Sequence, residues 1–177
     1  MIGDFGTGKS RCIQELFSKL IPNKATERSP ISIDLRTMWG TQSAEELVYR
    51  YYSMLQLDRM KERAVEALHK GDLFLLLDGF DELAIQEWGS EPDAIARSRA
   101  RTMAPIRDIL NRTKSGAIIC GREHYFSSDS EMILALGLNK STIIVETLPE
   151  FSMEEAQKFY MLQGMMAIFQ SGCRASL

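Results

Sequence analysis

Apolar residues recur along this chain with two periods, and the alternation of those periods predicts the order of its elements. Ile13, Leu16, Phe17 and Leu20 fall at helical spacing, and Pro22 follows. They predict a helix that starts near Gly8. From Ser29 to Leu35, Ile31, Ile33 and Leu35 alternate with other residues, the pattern of a strand. Ser43 and Glu46 make a capping box, in which each side chain satisfies a backbone N–H near the other. It opens a helix whose apolar side is Leu47, Val48, Tyr51, Tyr52, Met54 and Leu55. A further helix, Met60 to Leu68, stops at His69-Lys70-Gly71. The unbroken run Leu73 to Leu77 before Asp78 suits a strand buried on both faces of a parallel sheet. Residues 84–100 read as an exposed loop, and Arg101 to Leu110 as helix with a new segment starting at Pro105. Gly116 to Cys120 and Ser141 to Glu146 read as short strands. Strands alternating with helices predict an α/β fold with a parallel sheet. Ser152 and Glu155 form a second capping box, with Phe151 and Ala156 as its hydrophobic staple. The expected division is therefore one unit over 1–147 and the start of a helical unit over 148–177, with no element assigned from Gly164 onward.

Composition narrows the class. The chain has 177 residues, 45% hydrophobic and 25% charged, enough for one domain with a sizeable core. A net charge of −3 gives no electrostatic footprint for nucleic acid. The longest purely aliphatic or aromatic run, Leu73 to Leu77, is too short for a membrane span, and no charged-then-apolar leader precedes it. Cys12, Cys120 and Cys173 are odd in number and widely spaced. That pattern suits a reducing cytoplasm and neither a disulfide framework nor a zinc site.

Two stretches carry chemistry. Gly3 to Ser10 reads G-D-F-G-T-G-K-S and fits G-x-x-x-x-G-K-[ST]. In that pattern glycines let backbone N–H groups close around phosphate oxygens, because no Cβ blocks the approach. The candidate cradle is Gly3, Asp4, Phe5, Gly6, Thr7, Gly8, Lys9, Ser10 and Arg11. Lys9 is placed to reach the outer phosphates and Ser10 to ligate Mg²⁺. The second stretch, Leu73 to Leu83, reads LFLLLDGFDEL. A hydrophobic strand that ends in Asp78 presents a carboxylate to the same metal. Gly79 turns the chain, and Asp81 or Glu82 is available to orient or deprotonate a water. Other polar residues carry bland expectations: His124 in a solvated loop, His69 at a helix end, and Arg97, Arg99 and Arg101 on a solvated face.

The pair GDFGTGKS and LLLDGFDEL resembles the NACHT family of signal-transducing NTPases, and D-G-F-D-E is its distinguishing mark. Ile33-Asp-Leu-Arg36 resembles that family's second strand. Ala117-Ile-Ile-Cys-Gly-Arg122 resembles its strand and γ-phosphate sensor, with Gly121 in place of a small hydroxyl residue and Glu123 in place of proline. Leu148 to Glu155 resembles the start of its helical domain. The likeness spans about residues 3 to 160. It implies a P-loop NTPase three-layer sandwich around a parallel sheet, with the first strand truncated because only Met1 and Ile2 precede the loop. It also implies an incomplete nucleotide-binding domain. By the same resemblance, Lys9 binds phosphate, Ser10 and Asp78 hold Mg²⁺, Asp81 or Glu82 activates water and Arg122 senses the γ-phosphate. The intact protein is then expected to be an ATP-dependent switch in defence or innate-immunity-type signalling. It would be ADP-bound and closed at rest, homo-oligomeric with ATP, and slow in hydrolysis. Neither Asn23-Lys-Ala-Thr26 nor Asn139-Lys-Ser-Thr142 supplies the N-K-x-D of guanine selection, which favours ATP. Two other readings are a phosphate-loop kinase of a small acceptor and an inactive remnant without nucleotide turnover.

Overall fold

Three parallel strands form the centre of the molecule, in the order β1 (Ser29–Asp34), β2 (Leu73–Asp78), β3 (Ala117–Cys120). The computed structural model describes residues 1–4, 6–21, 28–83, 92–114, 116–139, 141, 143–150, 152 and 154–155. Among these the helices are α1 (Lys9–Leu20), α2 (Ala44–Met54), α3 (Lys61–Lys70), α4 (Pro92–Thr102), α5 (Ala104–Arg112) and α6 (Asp129–Leu136). The fold is α/β, as the alternating pattern predicts.

The register explains why β2 tolerates no polar residue before its last position. Leu73, Leu75 and Leu77 project into a core shared with Leu47 and Val48 of α2, Leu68 of α3, and Ile106 and Ile109 of α5. Leu76 projects the other way, against Ile13 of α1 and Cys120. Leu75, Leu76 and Leu77 are all wholly buried, and each such side chain contributes about 1.5–3 kcal/mol. Helices therefore cover both faces, α1 on one and the α2, α3, α5 and α6 group on the other.

Local signals set the element ends. Gly8, at φ 85°, turns the chain into α1, and Gly71, at φ 86°, ends α3. Ser43 Oγ accepts from Glu46 N at 3.2 Å as a capping box requires, but the Glu46 carboxylate accepts from Gln42 N, one residue earlier than expected. The second box closes in both directions: Ser152 N donates to Glu155 Oε2 at 2.9 Å, and Glu155 N to Ser152 Oγ at 3.2 Å. Its expected staple, Phe151 and Ala156, lies outside the described residues, as does the segment from Gly164.

Three expectations need correction. Leu35 is not in the strand. The Asp34 carboxylate accepts from Arg36 N and caps a 3-10 turn over Leu35–Met38, which ends β1 early. Residues 84–100 are not all loop, since α4 begins at Pro92, where a missing N–H costs a helix nothing; 84–91 lie outside the described residues. Ser141 to Glu146 forms no strand among its described residues. Its pairing comes from Ile2, which bridges Gly121 on one side and Thr147 on the other. Ile2 N donates to Glu146 O and Leu148 N to Ile2 O, both at 2.8 Å, and one residue makes too short a ladder for a strand. No helix among the described residues is long and apolar enough to cross a membrane.

Arg99 also departs from the solvated face expected of it. Its guanidinium lies 3.1 Å from Glu131 of α6 and over the Tyr125 ring, tying α4 to α6. Burial pushes the Glu131 carboxyl up, but the Ser127 N–H and Arg99 outweigh it and hold the carboxyl below its ordinary value of 4.5. A lowered carboxylate stabilises the fold above that ordinary value, and the stabilisation is lost as pH falls through the lowered one. Glu131→Gln should therefore cost about 1–2 kcal/mol in urea unfolding at neutral pH, and the gap to wild type should close progressively below pH 4.5. A pH-independent gap would contradict the ion pair.

Candidate functional site

Both chemical motifs end at the same edge of the sheet. Parallel pairing sets Asp34 opposite Asp78, and Asp78 opposite Cys120. A cleft of about 320 Å³ opens above these strand ends. Gly6, Gly8, Lys9, Ser10 and Arg11 line it from the loop and α1. Asp78, Gly79, Asp81 and Glu82 line it from β2 and the turn after it, and Gly121 and Arg122 from the end of β3. Of the residues expected at the site, Gly3, Asp4 and Thr7 form the loop's base, while Phe5 lies outside the described residues.

The loop is tightly wound. Gly6 and Gly8 sit at φ 82° and 85°, where a side chain is strained. A Cβ on Gly3 would stand 2.9 Å from Thr7 Oγ1 and 3.0 Å from Leu148 O. Buried Thr7 donates its hydroxyl to Asp4 O at 3.0 Å. Lys9 Nζ folds back into the ring and donates to Gly3 O at 2.7 Å and Asp4 O at 2.6 Å. These carbonyl dipoles are the partially negative partners of the Lys9 charge. The first bond closing α1 is Cys12 N to Gly8 O at 2.9 Å. The preceding N–H groups of Lys9, Ser10 and Arg11 therefore have no intrahelical acceptor, and they mark the positive end of the helix.

The acids are not equivalent. Asp78 Oδ1 accepts from the Cys120 thiol at 2.7 Å. Burial, and then Asp78 itself, push that thiol far up, so it remains a protonated donor that fixes the carboxylate. Asp81, with a side chain only 6% exposed, accepts from Arg122 N at 3.1 Å and pairs with Arg122 Nε at 3.0 Å. Glu82 is 39% exposed toward the cleft, and burial raises its carboxyl despite the opposing pull of Arg36. His124 stands outside the loop, 81% exposed and 3.4 Å from Asp4 Oδ1. His69 lies 3.9 Å from Glu45, at the end of α3.

Two contributors escape the motifs. Arg36 lines the cleft although it lies in a separate segment, and only the pairing of Asp34 with Asp78 brings it there. Gly121 makes room for Phe80, whose ring atoms lie 2.4–2.6 Å from where a Cβ would stand. Phe80 also packs on Tyr125 and Phe126, so the space available to a small hydroxyl side chain is filled by an aromatic ring.

A metal ion fits this donor set in one way. Among the described residues no group of three or more His, Cys, Asp or Glu could hold one. Ser10 and Asp78 offer two oxygens on the same cleft, which suits Mg²⁺ completed by water and phosphate oxygens. No protein-family model matches the chain, and no curated protein matches it.

Gly121→Ala should lower the urea midpoint by an amount equivalent to about 1–3 kcal/mol, the usual cost of overpacking. Near-ultraviolet circular dichroism should change with it as the Phe80–Tyr125–Phe126 cluster shifts. An unchanged midpoint would contradict the close packing of Phe80 on Gly121.

Proposed function

We propose that this chain is the nucleotide-binding module of a NACHT-type, P-loop signalling ATPase, which binds Mg²⁺-ATP at the Gly3–Arg11 loop and hydrolyses it slowly. The observation that carries the reading is the convergence of the glycine loop, Lys9 and the D-G-F-D-E acids on one cleft at the ends of parallel strands. Ligands in open α/β sheets bind at the carboxyl ends of strands. Ile2, which leads into the loop, bridges Gly121 after β3 and Thr147, so the loop starts beside the end of β3.

The chemistry follows from the residues. N–H groups at the start of α1 and in the glycine turns donate to phosphate oxygens. Lys9 exchanges its loop carbonyls for a phosphate, a charge-assisted bond in place of a charge–dipole one. Ser10 and Asp78 would hold Mg²⁺, which would neutralise charge on the phosphates. Glu82 is the better water-activating group, because both oxygens of Asp81 are committed to Arg122. Glu82 takes a proton from water as the water oxygen bonds to the γ-phosphorus, and the bond from that phosphorus to the bridging oxygen breaks to leave ADP. Asp81 holds Arg122 toward the γ-phosphate. In the intact protein the ATP and ADP states would differ in domain contacts, and ATP would favour a homo-oligomer in defence-type signalling.

Mg²⁺-ATP at a hundred times its Kd should stabilise the chain by about 2.7 kcal/mol, a rise in Tm of about 5–10 °C at this size. Lys9→Ala should abolish the rise. Glu82→Gln should keep it while phosphate release falls at least about a hundredfold, the usual weight of a general base. No rise in wild type, or an equal one in Lys9→Ala, would overturn the reading.

A further inference from the structure

We propose that Arg36 is a positioning residue for Glu82, anchored by Asp34, so that a strand outside both motifs sets the geometry of water activation. The proposal rests on the reading of Glu82 as the water-activating group.

Arg36 is fixed before it meets Glu82. Its Nε lies 2.9 Å from Asp34 Oδ1 and its Nη2 2.7 Å from Oδ2, a two-pronged ion pair. Its own N–H donates to Asp34 Oδ1 at 3.1 Å. A guanidinium gripped at side chain and backbone has little freedom left. Glu82 Oε2 lies 3.6 Å from Arg36 Nε, whose single N–H is already donated to Asp34, so the contact is an ion pair without a hydrogen bond, and the fixed positive charge orients the carboxylate. Glu82 needs such a guide. It projects from a single 3-10 turn over Phe80–Glu82, and a glutamate has three side-chain torsions to fix.

Gly79, at φ 81°, turns the chain beneath this contact and brings Glu82 back toward Arg36. The alternative role, direct phosphate binding by Arg36, fits less well. Its fork is already committed to Asp34, and Asp78 and Glu82 also face it. An arginine among three carboxylates serves to order them. The Arg36–Asp34 pair is largely exposed, and exposed pairs add little to stability. Its removal should therefore leave the fold intact, which unfolding curves on each variant verify.

Steady-state ATP hydrolysis by the full chain tests the idea with Arg36→Met, Arg36→Lys, Glu82→Gln and the Arg36→Met/Glu82→Gln double variant. Arg36→Met should lower kcat about tenfold with KM for Mg²⁺-ATP within about twofold, the pattern of a misplaced catalytic group. Arg36→Lys should recover part of the loss, and the double variant should be no slower than Glu82→Gln alone. Wild-type kinetics in Arg36→Met would overturn the proposal and leave the role of Glu82 standing. So would a raised KM at unchanged kcat, which would make Arg36 a phosphate contact, or a double variant slower than Glu82→Gln. Hydrolysis by Glu82→Gln at the wild-type rate would remove the water-activating role itself, and this proposal with it.

Discussion

Parallel pairing aligns Asp34, Asp78 and Cys120 across the ends of β1, β2 and β3, and the polar architecture of the molecule depends on that alignment. The Asp34 side chain holds Arg36, and Asp78 receives the Cys120 thiol. The turn that follows Asp78 carries Asp81 to Arg122 and Glu82 to Arg36. A slip of one residue in either ladder would move the β2 leucines to opposite faces and separate these pairs, so core and site share one register. The buried leucines stabilise the register, and the charged groups at the strand ends use it.

The second requirement is a concentration of positive potential facing those acids. The start of α1, its unpaired N–H groups and Lys9 all lie across the cleft from Asp78 and Glu82. Here Lys9 satisfies its charge on the carbonyls of Gly3 and Asp4, which also closes the loop. A bound phosphate would compete with carbonyl dipoles for Lys9, and a full negative charge is the stronger partner. The loop is thus closed on itself by its glycine turns and by Lys9.

Much of this was legible in the sequence, for identifiable reasons. The run Leu73 to Leu77 and the glycine spacing of the loop are local patterns with direct physical meaning. Strand β2 and the turn into α1 both form where those patterns place them. Local pattern failed where the outcome depends on a distant partner. Ser141 to Glu146 has strand-like side chains, yet its described residues form no strand, and Ile2 makes only a single bridge beside them, to Thr147. Arg99 reads as one of three surface arginines until α6 brings Glu131 to it. Arg36 and Gly121 enter the site only through pairing across strands and the packing of Phe80, which no spacing along the chain encodes. The choice between Asp81 and Glu82 is likewise invisible in D-G-F-D-E, because it turns on where Arg122 reaches.

The account stands on the loop as an anion cradle, and the most direct measurement is the amide ¹H–¹⁵N spectrum of the chain titrated with Mg²⁺-ATP. The account predicts saturable shifts concentrated at Gly6, Gly8, Lys9, Ser10 and Arg11, with smaller ones at Gly79 and Arg122. Loop amides that stay in place while the nucleotide perturbs another surface, or none, would contradict it.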